Sequence, residues 1–145
     1  MDELPAVVIY TDGACIPNPG SGGWAALLRY GKAEKILTGS NPQTTNNQME
    51  LTAAIQALQA LKQPCQVDFY TDSDYLKRGI TEWMPAWKRR NWRRKGGGLA
   101  NTELWQQLDK AITPHQINWH WVKGHSGNKD NELVDRLAQK AAQKN

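Results

Sequence analysis

Two short stretches of the chain repeat one arrangement of chemically useful residues. Tyr10-Thr11-Asp12 is followed by Gly13, and Tyr70-Thr71-Asp72 by Ser73, each closing a run that suits a pleated strand. If those strands lie side by side and parallel, Asp12 and Asp72 emerge at one sheet edge, where open α/β sheets hold ligands. Close carboxylates repel, so either one keeps a proton or the pair takes up a cation, and hard ions such as Mg²⁺ prefer oxygen donors. Singly, an Asp before Gly is equally well a turn starter. The repetition favours a site.

Other groups stand where they could join that chemistry. Glu50 lies in the first turn of a helix that begins near Thr45. It reads equally as a third carboxylate or as an acid favoured by the helix dipole. Asn131 and Asp135, four apart, share one face of the last helix, from which a carboxylate could point back at the sheet. His125 sits in the glycine-containing loop Lys123-Gly124-His125-Ser126-Gly127, free to carry protons near neutral pH. His115 and His120 read as ordinary exposed histidines. Cys15 and Cys65 stand at unrelated spacings, which fits two buried thiols of a reduced, cytoplasmic protein better than a disulfide or a zinc site.

The elements that must position these groups follow from pattern. Strand 1 is expected to end near Asp12. Cys15 to Gly23 reads as a loop because it is dense in Pro and Gly, with Asn18 its one substantial polar side chain. Residues 24–30 and 32–40 read as a hairpin around Gly31, with a turn over Asn41 to Thr44. Thr45-Asn46-Asn47-Gln48 has the form of a capping box, and Leu51, Ala54, Ile55, Leu58 and Leu61 continue it as an amphipathic helix to about Lys62. A short helix from Ser73 is expected to stop at Gly79, with helical patterning resuming at Thr81 and broken or kinked at Pro85. Thr102 to Ile112 is a helix and Gln116 to Val122 an alternating strand. A final helix from near Asp130 buries Val134, Leu137, Ala138 and Ala141.

A length of 145 residues suits one domain. No charged-then-apolar leader and no apolar run of spanning length is read, so neither a signal peptide nor a membrane role is expected. The net charge is +4, yet Trp83 to Lys95 alone holds six basic residues and no acid, leaving the remainder net acidic. Trp83, Trp87 and Trp92 interleave with Lys88, Arg89, Arg90, Arg93, Arg94 and Lys95. Cations that meet phosphates beside rings that pack on sugars or bases suit a nucleic-acid handle, set as an arm on the flexible Gly96-Gly97-Gly98 joint. Trp83 and Trp87, one helical turn apart, could instead pack inward.

Taken in order, Tyr10 to Gly13, Asn18 to Gly20, Thr44 to Leu51, Thr71 to Ser73, Gly79 to Thr81, and Trp121 to Gly127 with Asn131-Glu132 and Asp135 resemble the type 1 ribonuclease H family in its bacterial form. The likeness covers essentially the whole chain. It implies an α/β ribonuclease H-like fold: a five-stranded mixed sheet, strands 1–3 antiparallel and strands 4 and 5 parallel to strand 1, flanked by helices. It also implies an endonuclease, acting as a monomer, that cuts the RNA strand of RNA–DNA hybrids, leaving 5′-phosphate and 3′-hydroxyl ends, in removal of primers and R-loops during replication and repair. Asp12, Glu50, Asp72 and Asp135 would share two Mg²⁺ ions, with Mn²⁺ able to substitute, and His125 would help deprotonate water or release product. Cys15, Asn18, Asn46, Asn47 and the backbone near Glu50 and Asp74 would line the hybrid's minor groove. Thr45, with Lys88, Arg89 and Arg90, would grip a DNA-strand phosphate, and Trp83 and Trp87 would lie along DNA sugars.

Asp74, Ala86 and Ala100 depart from that family's pattern, which bears on affinity more than on chemistry. A hybrid-binding module without catalysis, and another two-metal nuclease such as a resolvase or transposase, are the competing readings. The presence of all four acids disfavours the first, and the basic tryptophan segment with Asn46 and Asn47 disfavours the second.

Overall fold

The central strand β1 (Ala6–Cys15) is buried on both faces from Ile9 onward, with Val7 and Ile9 toward one face and Tyr10 and Ala14 toward the other. In the computed structural model, which describes residues 4–92, 101–123 and 127–144, β1 pairs antiparallel with β2 (Gly20–Tyr30) and parallel with β4 (Gln66–Thr71). The edges are β3 (Ala33–Thr44), antiparallel to β2, and β5 (Gln116–Trp121), parallel to β4, in the order β3-β2-β1-β4-β5. This is the expected mixed α/β sheet.

Helices cover both faces. On one, α1 (Asn46–Gln59) sets Leu51, Ala54, Ile55 and Leu58 against Val7, Ile9, Ala26, Leu28 and Phe69. Alanines 53, 54 and 57 let it lie close, and Leu76 of α2 (Asp74–Arg78) with Trp105 and Leu108 of α4 (Thr102–Ile112) complete that core. On the other face, Val134 and Ala138 of α5 (Lys129–Gln143) meet Tyr10, Ala14, Ala25 and Leu27. The fully buried Trp105 is the largest side chain of the interior, and its truncation to Ala would cost about 3–5 kcal/mol.

The capping box at Thr45 forms by half. Thr45 Oγ1 accepts from Gln48 N at 3.1 Å, a cap worth about 1 kcal/mol, while the Gln48 side chain turns to Thr44 and Asn101 instead of back to the cap.

Several boundaries differ from expectation, each because tertiary contact overrides local propensity. Strand β1 runs three residues past Asp12, and Gly20 to Gly23 belong to β2 where a loop is predicted. The turn predicted over Asn41 to Thr44 is the end of β3, which pairs with those glycines. The glycines are there for contact: a Cβ on Gly23 would collide with the Ala138 carbonyl of α5, and one on Gly22 with the Thr44 side chain. The connecting loop is only Ile16 to Pro19. Helix α1 ends at Gln59, short of Lys62, and Leu137 of α5 is half-buried.

Gly79 does not stop the helix that follows Ser73. The chain passes from α2 through a π-helical turn, Gly79–Trp83, into α3 (Met84–Arg89), with Pro85 in the first turn where its missing N–H costs least. Gly79 is required by packing, since a Cβ would run into the Trp105 ring.

Candidate active site

Register brings the two repeated motifs together. Tyr10 is the partner of Tyr70 in the parallel β1–β4 ladder, so Asp12 and Asp72, each two residues further on, leave the ladder at one height. Asp12 shares the face of Tyr10 and Ala14, toward α5. Gly13, on the opposite face, has no side chain to hold α1 away: a Cβ there would stand 2.5 Å from Glu50 N. The first turn of α1 therefore reaches the strand, and oxygens of Asp12, Glu50 and Asp72 lie within 4.8 Å of one another. Glu50 is thus both an early helical residue and a member of the acid cluster.

The electrostatics are those of a site built for a cation. Asp12 and Glu50 are buried, 4% and 6% exposed, so water screens neither charge. Burial first, and the charge of Asp72 second, push the Asp12 carboxyl up to about 8; a hydrogen bond with Asp135 adds to the rise, against help from Glu50 and from Gly13 N, which donates to Asp12 Oδ1 at 2.9 Å. Burial and the neighbouring Asp12 charge push Glu50 well up as well. Glu50 Oε2 is buried with no hydrogen-bond partner. An all-oxygen donor set with one unsatisfied oxygen fits a hard divalent cation, whose charge would let the acids ionise together.

Asp135 of α5 stands beside Asp12 but outside the tight triple, half-buried, its Oδ1 accepting from Gln139 Nε2 at 3.2 Å. The first turn of α5 is anchored by groups that motif reading passes over. Arg29 of β2 donates to both oxygens of Asp130, at 2.6 and 2.8 Å, and Asn128 caps the helix through Asp130 N and Asn131 N. The Arg29–Asp130 pair carries no local signal because it spans 101 positions, whereas Asn128 is an N-cap residue whose signal is local. His125 lies outside the described residues, as do Arg93, Arg94, Lys95 and Ala100.

The residues expected to bind substrate fall in two groups. Asn18 Oδ1 accepts from Asn46 N at 3.0 Å, joining the β1–β2 loop to the start of α1, where Thr45 and Asn46 are half-buried and Asn47 is exposed. Cys15 is buried and turned to protein, its thiol donating to the carbonyls of Pro17 at 3.2 Å and Thr44 at 3.4 Å. Asp74 is exposed at the start of α2.

The second group is the basic segment. Trp83, Trp87 and Trp92 are half-buried against the core, joined ring to ring at 5.9 and 6.1 Å, with Trp87 5.7 Å from Trp105. The described part of the expected arm is therefore packed on the body, with Arg89 and Arg90 exposed and Lys88 paired to Asp109 at 3.2 Å.

A family profile described as RNase H matches residues 5–143. The chain belongs to the RNase H family. A ribonuclease H of Bradyrhizobium sp. (strain ORS 278) is 59% identical over 140 residues, 96% of this chain and 91% of that one. Among solved structures, LC9-RNase H1, described as a type 1 RNase H with the type 2 active-site motif, superposes with a TM-score of 0.91 at 34% identity, covering 99% of this chain and 75% of that one. LC11-RNase H1, solved in complex with RNA/DNA hybrid, shares the fold at a TM-score of 0.72 and 20% identity over 95% of this chain and 97% of that one. The chain is accordingly an enzyme of the RNase H family, a ribonuclease, and its acid cluster lies on the sheet edge where the repeated motifs predict it. No described helix is long and apolar enough to cross a membrane.

Proposed function

We propose that this ribonuclease H hydrolyses the RNA strand of RNA–DNA hybrids as an endonuclease with two divalent ions, Mg²⁺ or in substitution Mn²⁺, leaving 5′-phosphate and 3′-hydroxyl ends. The observation that carries the reading is the triple of Asp12, Glu50 and Asp72 within 4.8 Å, with one buried oxygen of Glu50 unsatisfied, in a member of this family. Asp12, Glu50 and Asp72 would hold the ions, and Asp135 would reach the same place from α5. Bound ions supply activation of the attacking water and stabilisation of the leaving 3′ oxygen. His125 would exchange protons with that water or with product.

Substrate choice would rest on shape and sugar. The 2′-OH distinguishes RNA from DNA, and a hybrid offers it along an open minor groove. Asn18, Asn46 and Asn47 would supply amides to that groove, and Cys15, whose thiol is turned to protein, would line it through its backbone together with the backbone near Glu50 and Asp74. Thr45, Lys88, Arg89 and Arg90 would meet the DNA phosphates, and the outer edges of Trp83 and Trp87 its sugars. The 145 residues would form one catalytic domain, working as a cytoplasmic monomer on primers and R-loops in replication and repair.

The test is cleavage of a labelled hybrid beside duplex RNA and duplex DNA of the same sequence, with Mg²⁺ and with chelator. Cutting confined to the RNA strand of the hybrid, and abolished by chelation, is expected. Equal cutting of all three duplexes, or cutting in chelator, would refute it.

A further inference from the structure

Three strands each set one ring into a single row on the α5 face of the sheet. Tyr10 of β1, Tyr70 of β4 and His120 of β5 are successive register partners, so their side chains leave the sheet at one height. The Tyr70 ring is covered on both sides: the Tyr10 ring lies 4.6 Å away with planes within 10°, and the His120 ring 4.4 Å away within 13°. At the outer end His120 Nε2 stands 2.9 Å from Asp68 Oδ1, which ties that ring to the strand it covers. At the inner end the Asn128 side chain hydrogen-bonds the Tyr10 side chain, while Asn128 Oδ1 caps α5, the helix that carries Asp135.

This row stands where backbone pairing runs out. The β1–β4 ladder ends at Tyr10 and Tyr70, and the acids follow two residues later along each chain. Asp12 is still paired on its other side, opposite Ala25 of β2, whereas β4 ends at Thr71 and Asp72 lies past it. The spacing of the two carboxylates is therefore set by side-chain packing at the last paired position. A ring held on both faces has one setting there; a ring with an open face can tilt.

We propose that Tyr70 is a positioning residue for the metal site: clamped between Tyr10 and His120, its ring sets Asp72 against Asp12, so that the acid triple is spaced for a divalent ion before one arrives. The inference rests on the metal reading above. The row lies on the α5 face, whereas α1 with Asn46 and Asn47 and the packed tryptophans lie on the other. Loosening it therefore costs ion affinity and leaves hybrid binding alone.

The experiment titrates Mn²⁺ onto the hybrid-free enzyme, free ion being counted by electron paramagnetic resonance, with melting curves and hybrid binding in chelator alongside. Tyr70→Val removes the ring while keeping a strand-favouring residue, and should raise the Mn²⁺ Kd about 5- to 10-fold. Tyr70→Phe keeps the stack and should stay within about twofold of the parent. His120→Val, at a half-exposed edge position where the fold tolerates change, uncovers one ring face and should raise the Kd about threefold. In the Tyr70→Val background it should add less than about twofold, because it acts through that ring. Hybrid Kd in chelator should stay within about twofold throughout. An unchanged Mn²⁺ Kd in Tyr70→Val and His120→Val whatever their melting points, an equal loss in Tyr70→Phe, or the full His120→Val factor without the Tyr70 ring overturns the proposal. A parent that binds Mn²⁺ but cuts no hybrid defeats the substrate reading and leaves the titration to decide this one; a parent that binds no Mn²⁺ defeats both.

Discussion

Tyr10 and Tyr70 stack face to face across β1 and β4, ring centroids 4.6 Å apart and planes within 10°. This contact reports the register that sets Asp12 beside Asp72, two residues further along each strand. His120 continues the stack at 4.4 Å from Tyr70, with its Nε2 2.9 Å from Asp68, on the same half of the sheet. The acid pair therefore stands just past the carboxyl end of the β1–β4 ladder, where that register sets its spacing.

Replacing Asp12 tests the cluster directly. Asp12→Asn keeps size and the contact with Gly13 but removes one charge from the triple. Hybrid cleavage should fall at least about 100-fold, as for loss of a group that stabilises transition-state charge, while hybrid binding measured in chelator persists. Undiminished cleavage would remove Asp12 from the mechanism.

The same group makes metal-free stability depend on pH. The folded carboxyl titrates at about 8, above an unfolded value near the ordinary 3.8, so between those values the folded state holds the extra proton. Its stabilisation is full below about pH 4 and lost as pH rises through about 8. In chelator, the melting temperature should drop by several degrees from about pH 5 to about pH 8, and Asp12→Asn should flatten that slope. Saturating Mg²⁺ should flatten it as well, by neutralising the charges that accumulate. A rising midpoint over this range would contradict the assignment.

Asp130 behaves oppositely. Its hydrogen bonds from Arg29 hold its carboxyl below the ordinary range, so this contribution is present above the unfolded value and is lost as pH falls through the folded one. The pair is partly solvent-screened, so Arg29→Ala should cost only about 1 kcal/mol by urea unfolding. Its effect on kcat should exceed its effect on KM, because it loosens the turn that leads to Asp135. A KM effect alone would argue against that role.

Gly79→Ala should damage the core without touching the acids. The added methyl would meet the wholly buried Trp105 ring, and overpacking of this kind costs about 1–3 kcal/mol. The melting midpoint should fall accordingly while metal affinity is retained. An unchanged midpoint would show that Trp105 can move aside.

The cationic surface is tested by salt. Arg89→Ala and Arg90→Ala should each raise KM at about 150 mM salt and lower the slope of log KM against log salt by about 1 for each phosphate no longer neutralised. A slope identical to the parent's would place these arginines off the substrate path.

The order of elements, the antiparallel start, the cap at Thr45 and the repeated Tyr-Thr-Asp were legible because each is written in adjacent residues: branched alternation, a Thr-x-x-Gln box, a turn residue after an acid. Local pattern failed where a distant partner outweighed it. Gly20 to Gly23 read as loop, yet they are strand because α5 and Met49 press against them. Gly79 read as a stop, yet it is a crossing point under Trp105. Trp83 and Trp87 carried two readings, and packing places most of each ring inward beside Trp105 while the arginines stay outside.

What the sequence determined by itself was the inventory: which faces are apolar, where strands give way to helices, and that four carboxylates and a basic tryptophan run belong to a ribonuclease H. Only the tertiary structure decided that three of those acids crowd within 4.8 Å with Asp135 beside them, that burial and mutual repulsion raise the Asp12 and Glu50 carboxyls, and that the Asn101 amide links Gln48 to Tyr75. The physical reason is range. Periodicity and capping act over a few residues, whereas burial, Coulomb repulsion and a bridging amide depend on distances between groups that the chain brings together only when it closes.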